Sequence, residues 1–346
     1  MARFTRIHTL TTRASNNINR DDVGQPKTAM IGGTQRARVS SQCQKRALRF
    51  SSPFNGLRDE KLIGTRTKLI GDELVKKMVS GGISEEDAAD TAKKIVGKLK
   101  KSGEGDSVEM PQVLLLAPSE ILAMESAAEK FIKDKEIGDL TILQKEHQAI
   151  DIALFGRFVA DQPQFTVDAA MSVAQSITVH PAAVESDWFA TTDDLRPKEE
   201  QGSSYLGVKF FTSGVYYSTY HLDKELLLEN LGGNEISAKK AINGLMHGIY
   251  NLNPRGSQTN FNSVTTPDYM LVQTGDEVIP DLSPAFHDPF PKGANASPLQ
   301  WAIDQINKLL DWRATAYEPH SNIENKVMNR MSGSGTFEEL LKVAGG

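Results

Sequence analysis

A run of basic, hydroxyl and amide side chains near the start of the chain has the composition of a polyanion-binding site. Residues 16–49 read NNINRDDVGQPKTAMIGGTQRARVSSQCQKRALR. Residues 1–50 carry ten Lys or Arg and two acidic residues, a balance of +8, whereas the remainder carries 29 basic and 42 acidic residues, a balance of −13. Because the positive charge is concentrated in one region, the sequence favours a local polyanion site over general attraction to nucleic acid.

The basic run ends in a segment with the periodicity of a helix. Ser41 and Gln44 stand at the spacing of a capping box, which predicts that the helix begins here. Gln42, Lys45 and Arg49 then follow at i, i+3 and i+7 and form one polar stripe. The first turn of a helix also offers unpaired backbone N–H groups, which favour an anion.

Two further features of this region bear on phosphate binding. Cys43, Ala47 and Phe50 form an apolar stripe, which we expect to face the core. The pair Gly32-Gly33 permits positive φ and close backbone approach, as loops that cradle phosphates require. The alternative is a solvated basic helix preceded by glycines that only make a hairpin. The coincidence of glycine pair, cap and basic stripe favours phosphate binding.

The rest of the composition indicates a binding protein in a reducing compartment. Cys43 is the single cysteine, so internal disulfides are excluded. No apolar run approaches the ~18 residues of a membrane span, and no apolar leader segment follows the basic start, so we expect a cytoplasmic protein with no membrane contact. The seven histidines are scattered, and IGGTQR lacks the ending of a nucleotide-binding P-loop. We therefore predict no metal, no cofactor and no catalysis.

Hydrophobic periodicity predicts an α+β protein. A strand over 3–11 and a strand-like RARV at 36–39 precede an alanine- and lysine-rich helical segment at 57–140. After about residue 140 the sequences IDIALFGRF, AAMSVAQSITVH and YLGVKFFTSGVYYSTYH are rich in β-branched and aromatic residues, which is typical of strands. Further elements are predicted as helices at 225–230 and 238–250, a strand at 269–273 and a helix that starts at Ser297-Pro298.

Seven motifs in the same order resemble the CasC family, the repeated backbone subunit of type I-E CRISPR Cascade complexes. The first is NRDD…PK…GG..R.RVSSQ..KRA.R within residues 19–49. The others are IDIALFGR (150–157), DAAMSVAQSITVH (168–180), DWFATTDDL (187–195), QGSSYLG (201–207), FFTSGVYY (210–217) and LENLGG (228–233). The resemblance implies a modified RRM-like, ferredoxin-like palm (1–56, 141–180 and 205–346), helical fingers (57–140) and a long β-hairpin thumb (181–204).

The resemblance also implies which residues would bind a guide RNA. The sugar-phosphate chain would be held by Arg20, Lys27, Ser40, Gln42, Lys45, Arg46 and Arg49. For Arg20 an ion pair with Asp21 or Asp22 is an equally open alternative. On the thumb, Trp188 and Phe189 would fold over the guide and displace one base, with Phe158 completing that wedge. The alternative is that one aromatic ring anchors the loop to its own core.

Two further groups of residues are candidates for nucleic-acid contact. The family implies that a lysine-bearing helical surface attracts target DNA, and the candidates are Lys130, Lys133 and Lys135. Acidic residues alternate with them, so a salt-bridged solvated helix is an equal alternative. The polar loop 251–263, with Arg255 and Gln258, would contact RNA or a neighbouring subunit, or form an ordinary turn.

Taken with the resemblance, the sequence predicts a non-catalytic RNA-binding scaffold that oligomerises along a CRISPR guide RNA and presents it to target DNA in antiviral defence. Its partners would be the guide, further copies of itself, and the large, small, guide-processing and guide-end subunits of Cascade. The alternative function is a metal-dependent RNA endonuclease of the related type III backbone kind, in which Asp21 or Asp22 would supply the carboxylate.

Overall fold

The computed structural model describes residues 2–99, 107–195, 205–316 and 323–345. The chain divides into two compact units. Unit 1 comprises Met1–Ser51, Val173–His221 and Met246–Gly346, and unit 2 comprises Ser52–Ser172 and Leu222–Leu245. The boundaries of palm, fingers and thumb stay predictions. Parts of the predicted fingers (100–106) and thumb (196–204) lie outside the described residues.

Strands and helices alternate irregularly along the chain, which confirms the α+β prediction. The strands are β1 (Phe4–Asn16), β2 (Thr28–Ile31), β3 (Thr34–Val39), β4 (Thr65–Thr67), β5 (Leu114–Leu116), β6 (Met171–Val173), β7 (Ser176–Thr178), β8 (Glu185–Thr191), β9 (Tyr205–Asp223), β10 (Tyr269–Gly275) and β11 (Glu324–Asn329). The helices are α1 (Ser41–Arg49), α2 (Ser52–Asp59), α3 (Ile70–Ser80), α4 (Glu85–Gly97), α5 (Pro118–Asp134), α6 (Ile150–Phe155), α7 (Lys224–Asn230), α8 (Glu235–Tyr250), α9 (Gln258–Phe261), α10 (Pro298–Ala316) and α11 (Phe337–Ala344).

Unit 1 is organised by a large antiparallel sheet. Its strand order is β11-β10-β1-β9-β7-β3-β2, and β8 pairs with the first residues of β9. Helix α10 covers one face and buries Leu299, Ile303 and Ile306, the apolar residues that the sequence places on one side of this helix. They join Leu10 and Tyr217 of the sheet in one core. The sheet therefore contains the three strands of the chain's basic N-terminal segment, β1, β2 and β3.

Unit 2 contains a helical core made by α3, α4 and α5. Ile70, Leu74 and Met78 of α3 are buried, as their spacing predicts. Ser84 caps α4, because its side-chain oxygen accepts a hydrogen bond from the backbone N–H of Asp87 at 3.1 Å. Across the described residues, no helix is both long and apolar enough to span a membrane.

The prediction of a strand in IDIALFGRF is wrong, because residues 150–155 form helix α6. All residues of Ile150–Leu154 are buried, including Asp151, whose Oδ1 accepts hydrogen bonds from the backbone N–H groups of Gly64 and Ile152. A short apolar run that is buried on every side carries no period, so strand and helix cannot be distinguished by pattern. Arg157, at the end of this motif, is buried and paired with Glu120 at 2.7 Å.

Candidate nucleic-acid interface

The N-cap of helix α1 lies one residue before the position that the sequence predicts. Ser40 is the N-cap, with extended backbone angles of φ −66° and ψ 152°, and its hydroxyl oxygen accepts from the N–H of Cys43 at 3.3 Å. The predicted capping pair Ser41 and Gln44 is therefore wrong. Gln44 is buried, and its side-chain amide donates to the carbonyl oxygen of Ala174 at 2.8 Å.

The polar stripe of α1 reaches the surface with no acidic residue on the helix. Gln42 and Arg46 are exposed, and Lys45 and Arg49 are half-buried. Partial burial lowers the pKa of Lys45. The guanidinium groups of Arg46 and Arg49 lie over the ring of Phe50, at 4.8 and 5.8 Å from its centre. This surface can therefore supply positive charge and hydrogen-bond donors to a row of phosphates.

The apolar stripe predicted on α1 faces the core only in part, since Cys43 packs against the buried cluster of Ile18, Val39 and Tyr216. The buried residues of the helix are Gln44 and Leu48, whereas Cys43 and Ala47 are half-buried and Phe50 is 41% exposed. The reason is the polar contact of Gln44 with Ala174, which turns that side of the helix inward although its residues are not all apolar. Burial raises the pKa of the Cys43 thiol, while nearby Lys27 acts in the opposite direction.

A loop that carries Arg20 and Lys27 is attached directly to the N-cap of α1. The side chain of Asn19 accepts from the backbone N–H of Ser40 at 2.8 Å, and its own carbonyl oxygen accepts from the N–H of Lys27 at 2.8 Å. Arg20 is exposed and Lys27 is half-buried. The fold therefore gathers these two cations beside Ser40 and the polar stripe of α1.

One of the two acidic residues in this loop has a structural role. Asp21 accepts hydrogen bonds from the N–H groups of Val23 and Gln25 at 3.1 and 2.8 Å, which closes a turn. Within the part of the chain that the structure describes, Arg20 makes no ion pair with Asp21 or Asp22. In the same described ranges, no group of three or more His, Cys, Asp or Glu side chains is arranged to hold a metal ion.

The glycine pair makes a hairpin turn, as the alternative interpretation expects, and its predicted role as a phosphate cradle stays a prediction. Ile31 pairs with Thr34 across Gly32-Gly33, and both glycines have positive φ, 58° and 68°. Two residues with positive φ form the type I′ turn that suits a two-residue hairpin loop. A Cβ on Gly32 would lie 1.8 Å from the carbonyl oxygen of His287, so the close approach is to the protein's own backbone.

The predicted thumb contains a β-hairpin built from β8 and the start of β9. Trp188 lies opposite Val208, and Phe189 lies opposite Gly207. Because successive side chains of a strand point to opposite faces, the two aromatic rings lie on different sides of the hairpin. Trp188 is 70% exposed. Phe189 is half-buried over Gly207, and the Nζ of Lys209 lies 4.7 Å from the centre of its ring.

Asn17 connects this hairpin to the loop of Arg20, a role that sequence reasoning missed. Its side-chain amide donates to the carbonyl oxygens of Gly24 at 2.9 Å and Phe210 at 2.8 Å. The available signal was the NNIN string before Arg20, since Asn side chains commonly hydrogen-bond the backbone in turns. The loop, helix α1 and the base of the hairpin therefore meet in unit 1.

Other predicted site residues lie elsewhere. Phe158 is 79% exposed in unit 2. Lys130, Lys133 and Lys135, also in unit 2, are exposed near the end of α5. Among the described residues none of these lysines pairs with a carboxylate within 4.0 Å. Glu129, one of the alternating acids, instead binds Lys77 of α3 at 2.8 Å.

The similarities to known proteins extend over nearly the whole chain. The sequence model of a family described as CT1975-like protein matches residues 5–342. No match is found among the curated proteins. A chain of the solved structure "CRISPR RNA-guided surveillance complex, pre-nicking" is similar with a TM-score of 0.83 and 23% identity, covering 99% of this chain and 100% of that chain. A chain of "CRISPR RNA-guided surveillance complex" is similar with a TM-score of 0.62 and 21% identity, covering 98% and 97%.

Proposed function

Since the chain belongs to the CT1975-like family, we propose that it is a non-catalytic RNA-binding scaffold that oligomerises along a CRISPR guide RNA in antiviral defence. The observation that carries this proposal is the attachment of the Arg20–Lys27 loop to the acid-free helix α1 through Asn19. The similar fold of chains from CRISPR RNA-guided surveillance complexes supports it.

The side chains of this surface suit a guide of any sequence. Lys45, Arg46 and Arg49 offer cationic donors, and Gln42 offers an amide beside them. Such groups bind phosphate and sugar oxygens, which are the same at every nucleotide, so they fix the position of the strand without reading its bases. Base pairing of the guide to target DNA would then supply all sequence recognition, as in guided effectors generally.

The finer architecture belongs to the same proposal. The antiparallel sheet of unit 1 would serve as an RRM-like palm, residues 57–140 as fingers and residues 181–204 as the thumb. The exposed ring of Trp188 supports a thumb that inserts an apolar side chain between bases. Neighbouring copies, the other Cascade subunits and target DNA would be the partners, with Lys130, Lys133 and Lys135 as the candidate DNA contacts.

The test is charge reversal on α1. The chain is tagged, co-expressed with its Cascade partners and a CRISPR array, and purified, and the accompanying RNA is sized and sequenced. We expect uniform repeat-spacer RNA with the unmodified chain and at least tenfold less with Lys45→Glu combined with Arg49→Glu, because two attractive phosphate contacts become repulsive. Lys94→Glu with Lys98→Glu is the matched control, since these exposed lysines, on α4 and at its C-cap, have the same spacing.

Two results would contradict the proposal. One is an unchanged RNA yield from the folded α1 variant. The other is cleavage of bound target RNA that requires a divalent metal and disappears in Asp22→Ala, which would establish the endonuclease alternative. The hydrogen bonds that Asp21 accepts from Val23 and Gln25 favour a turn-forming role over a catalytic one for this carboxylate.

A further inference from the structure

An open groove of about 570 Å³ lies in unit 1 beside the polar stripe of α1. Its floor contains Cys43, Ala47 and Pro254, and its rim contains Phe50, Arg46 and Arg255. The volume falls within the range of about 300–1,000 Å³ that is usual for small-ligand pockets. Cys43 and Ala47 of the floor belong to the predicted apolar stripe and are only half-buried, so helix α1 presents both an apolar and a cationic surface to this groove.

The side chains of the rim can bind an uncharged aromatic ring that is attached to an anionic group. Phe50 is 41% exposed, and the guanidinium of Arg46 lies 4.8 Å from the centre of its ring. Aromatic rings and guanidinium planes are the groups on which unstacked bases stack. Arg255 on the opposite wall is exposed, and its guanidinium makes no hydrogen bond or ion pair with the part of the chain that the structure describes.

The wall opposite α1 is fixed by buried contacts. Arg13 donates to the side-chain oxygen of Asn253 at 3.0 Å and to the carbonyl oxygen of Leu252 at 2.8 Å. A Cβ on Gly256 would lie 2.4 Å from the carbonyl oxygen of Ile18, which shows how closely this loop approaches the chain near α1. The groove is therefore formed before any ligand binds, which lowers the entropic cost of binding.

We propose that this groove holds one unstacked base of a single-stranded RNA whose phosphates lie on Lys45 and Arg49. The inference rests on the proposed function and extends it, because it assigns a base-binding surface beside α1 in addition to the phosphate contacts and the Trp188 wedge. Charge complementarity selects this occupant, since the rim carries Arg46 and Arg255 and no acidic residue lines the groove among the described residues. Stacking accepts any base, so the site keeps the guide unrestricted in sequence.

The experiment compares two probes on the full chain after removal of RNA: an oligouridine strand and an abasic strand of the same length. The readout is the ratio of their dissociation constants. We expect Ala47→Phe, which fills the groove, and Arg255→Ala, which opens its rim, each to reduce the preference for the base-bearing strand about tenfold. Arg66→Ala, which removes an exposed arginine of β4, is the control and should leave the ratio unchanged.

The outcomes separate this inference from the proposed function. If Lys45→Glu with Arg49→Glu weakens neither probe, the proposed function fails. If it weakens both while the folded groove variants keep the original ratio, the groove inference alone is overturned. The inference is also overturned if Ala47→Phe instead reduces self-association of the RNA-free chain in sedimentation, because the occupant is then a second copy. Arg255→Ala serves as the test if Ala47→Phe does not fold.

Discussion

Asn17 and Asn19 show how single residues set the position of the cationic side chains near them. Asn19 binds the N–H of Ser40 and, through its backbone, the N–H of Lys27. Asn17 binds Gly24 within the loop and Phe210 at the base of the hairpin. The cationic side chains lie at or near the surface, where their charge alone does not fix their positions. The uncharged residues between them therefore determine the spacing of the cations that we propose to bind phosphates.

The adjacent Gly32 and Gly33 give a matched pair of substitutions at this scale. Both have positive φ, so alanine costs about 1–2 kcal/mol at either position. At Gly32 the new Cβ also meets the His287 carbonyl, whereas at Gly33 nothing lies within 4 Å. We expect Gly32→Ala to lower the free energy of unfolding by about 2–5 kcal/mol and Gly33→Ala by clearly less.

Urea denaturation of both variants measures this difference. The amount of RNA retained per folded molecule should be the same in both variants as in the unmodified chain, because we expect the turn to contribute to packing and not to RNA binding. Equal destabilisation would show that the His287 contact is not significant. A loss of RNA with unchanged stability would instead restore the phosphate-cradle interpretation.

At the scale of elements, the success of prediction followed the strength of the periodic signal. Helices α3 and α4 lie within the predicted helical segment, α10 begins where a helix is predicted, and each buries a regular apolar face. Helix α6 has no polar face, so its apolar run was misread as a strand. The inner face of α1 was misassigned because Gln44 is held inside by hydrogen bonds, and a polar core residue gives no hydrophobic signal.

The candidate site was predictable to a similar extent. The polar stripe of α1 comes from residues close in sequence, so its spacing alone located it. The contact of Asn17 with Phe210 joins residues 193 positions apart, which no local pattern reveals. The resemblance to the CasC family is confirmed by the family match and the fold. It linked the basic helix to the distant hairpin, which local periodicity could not do.

The hairpin of β8 and β9 predicts different roles for its two adjacent aromatic residues. Trp188 is exposed, so Trp188→Ala should leave stability within about 0.5 kcal/mol while changing which guide bases react with a chemical probe. Phe189 covers Gly207 and contacts Lys209, so Phe189→Ala should also lower stability. Chemical probing of the guide in the purified complex, together with thermal unfolding, separates these effects.

Leu206→Ala is a suitable control, because Leu206 is exposed on the same face of the hairpin as Trp188 and is not aromatic. It should leave both the reactivity pattern and the stability unchanged. A guide whose bases all react alike in Trp188→Ala and in the unmodified complex would contradict the wedge role of Trp188.

At the scale of the whole molecule, opposite charges are separated along the chain. Residues 1–50 have a balance of +8, and the remainder has −13, which together give the net charge of −5. The surface cations of this segment, in the Arg20–Lys27 loop and on α1, would therefore attract a polyanion locally, whereas Arg13 and Arg36 of the same segment are buried. This distribution suits the proposed scaffold, because the acidic remainder of the chain would disfavour RNA at other positions.

The salt dependence of RNA binding tests whether that attraction is local. For single strands the logarithm of the binding constant falls by about 0.7 per contacted phosphate for each unit of log salt concentration. Lys45→Ala with Arg49→Ala should therefore make the slope shallower by about 1.4, because two phosphate contacts are lost. Lys94→Ala with Lys98→Ala removes the same charge from unit 2 and should leave the slope unchanged.

Filter binding of an oligouridine strand over a series of KCl concentrations gives both slopes. Equal changes in the two double variants would show that the attraction arises from net charge, and the assignment of the phosphates to α1 would then be wrong.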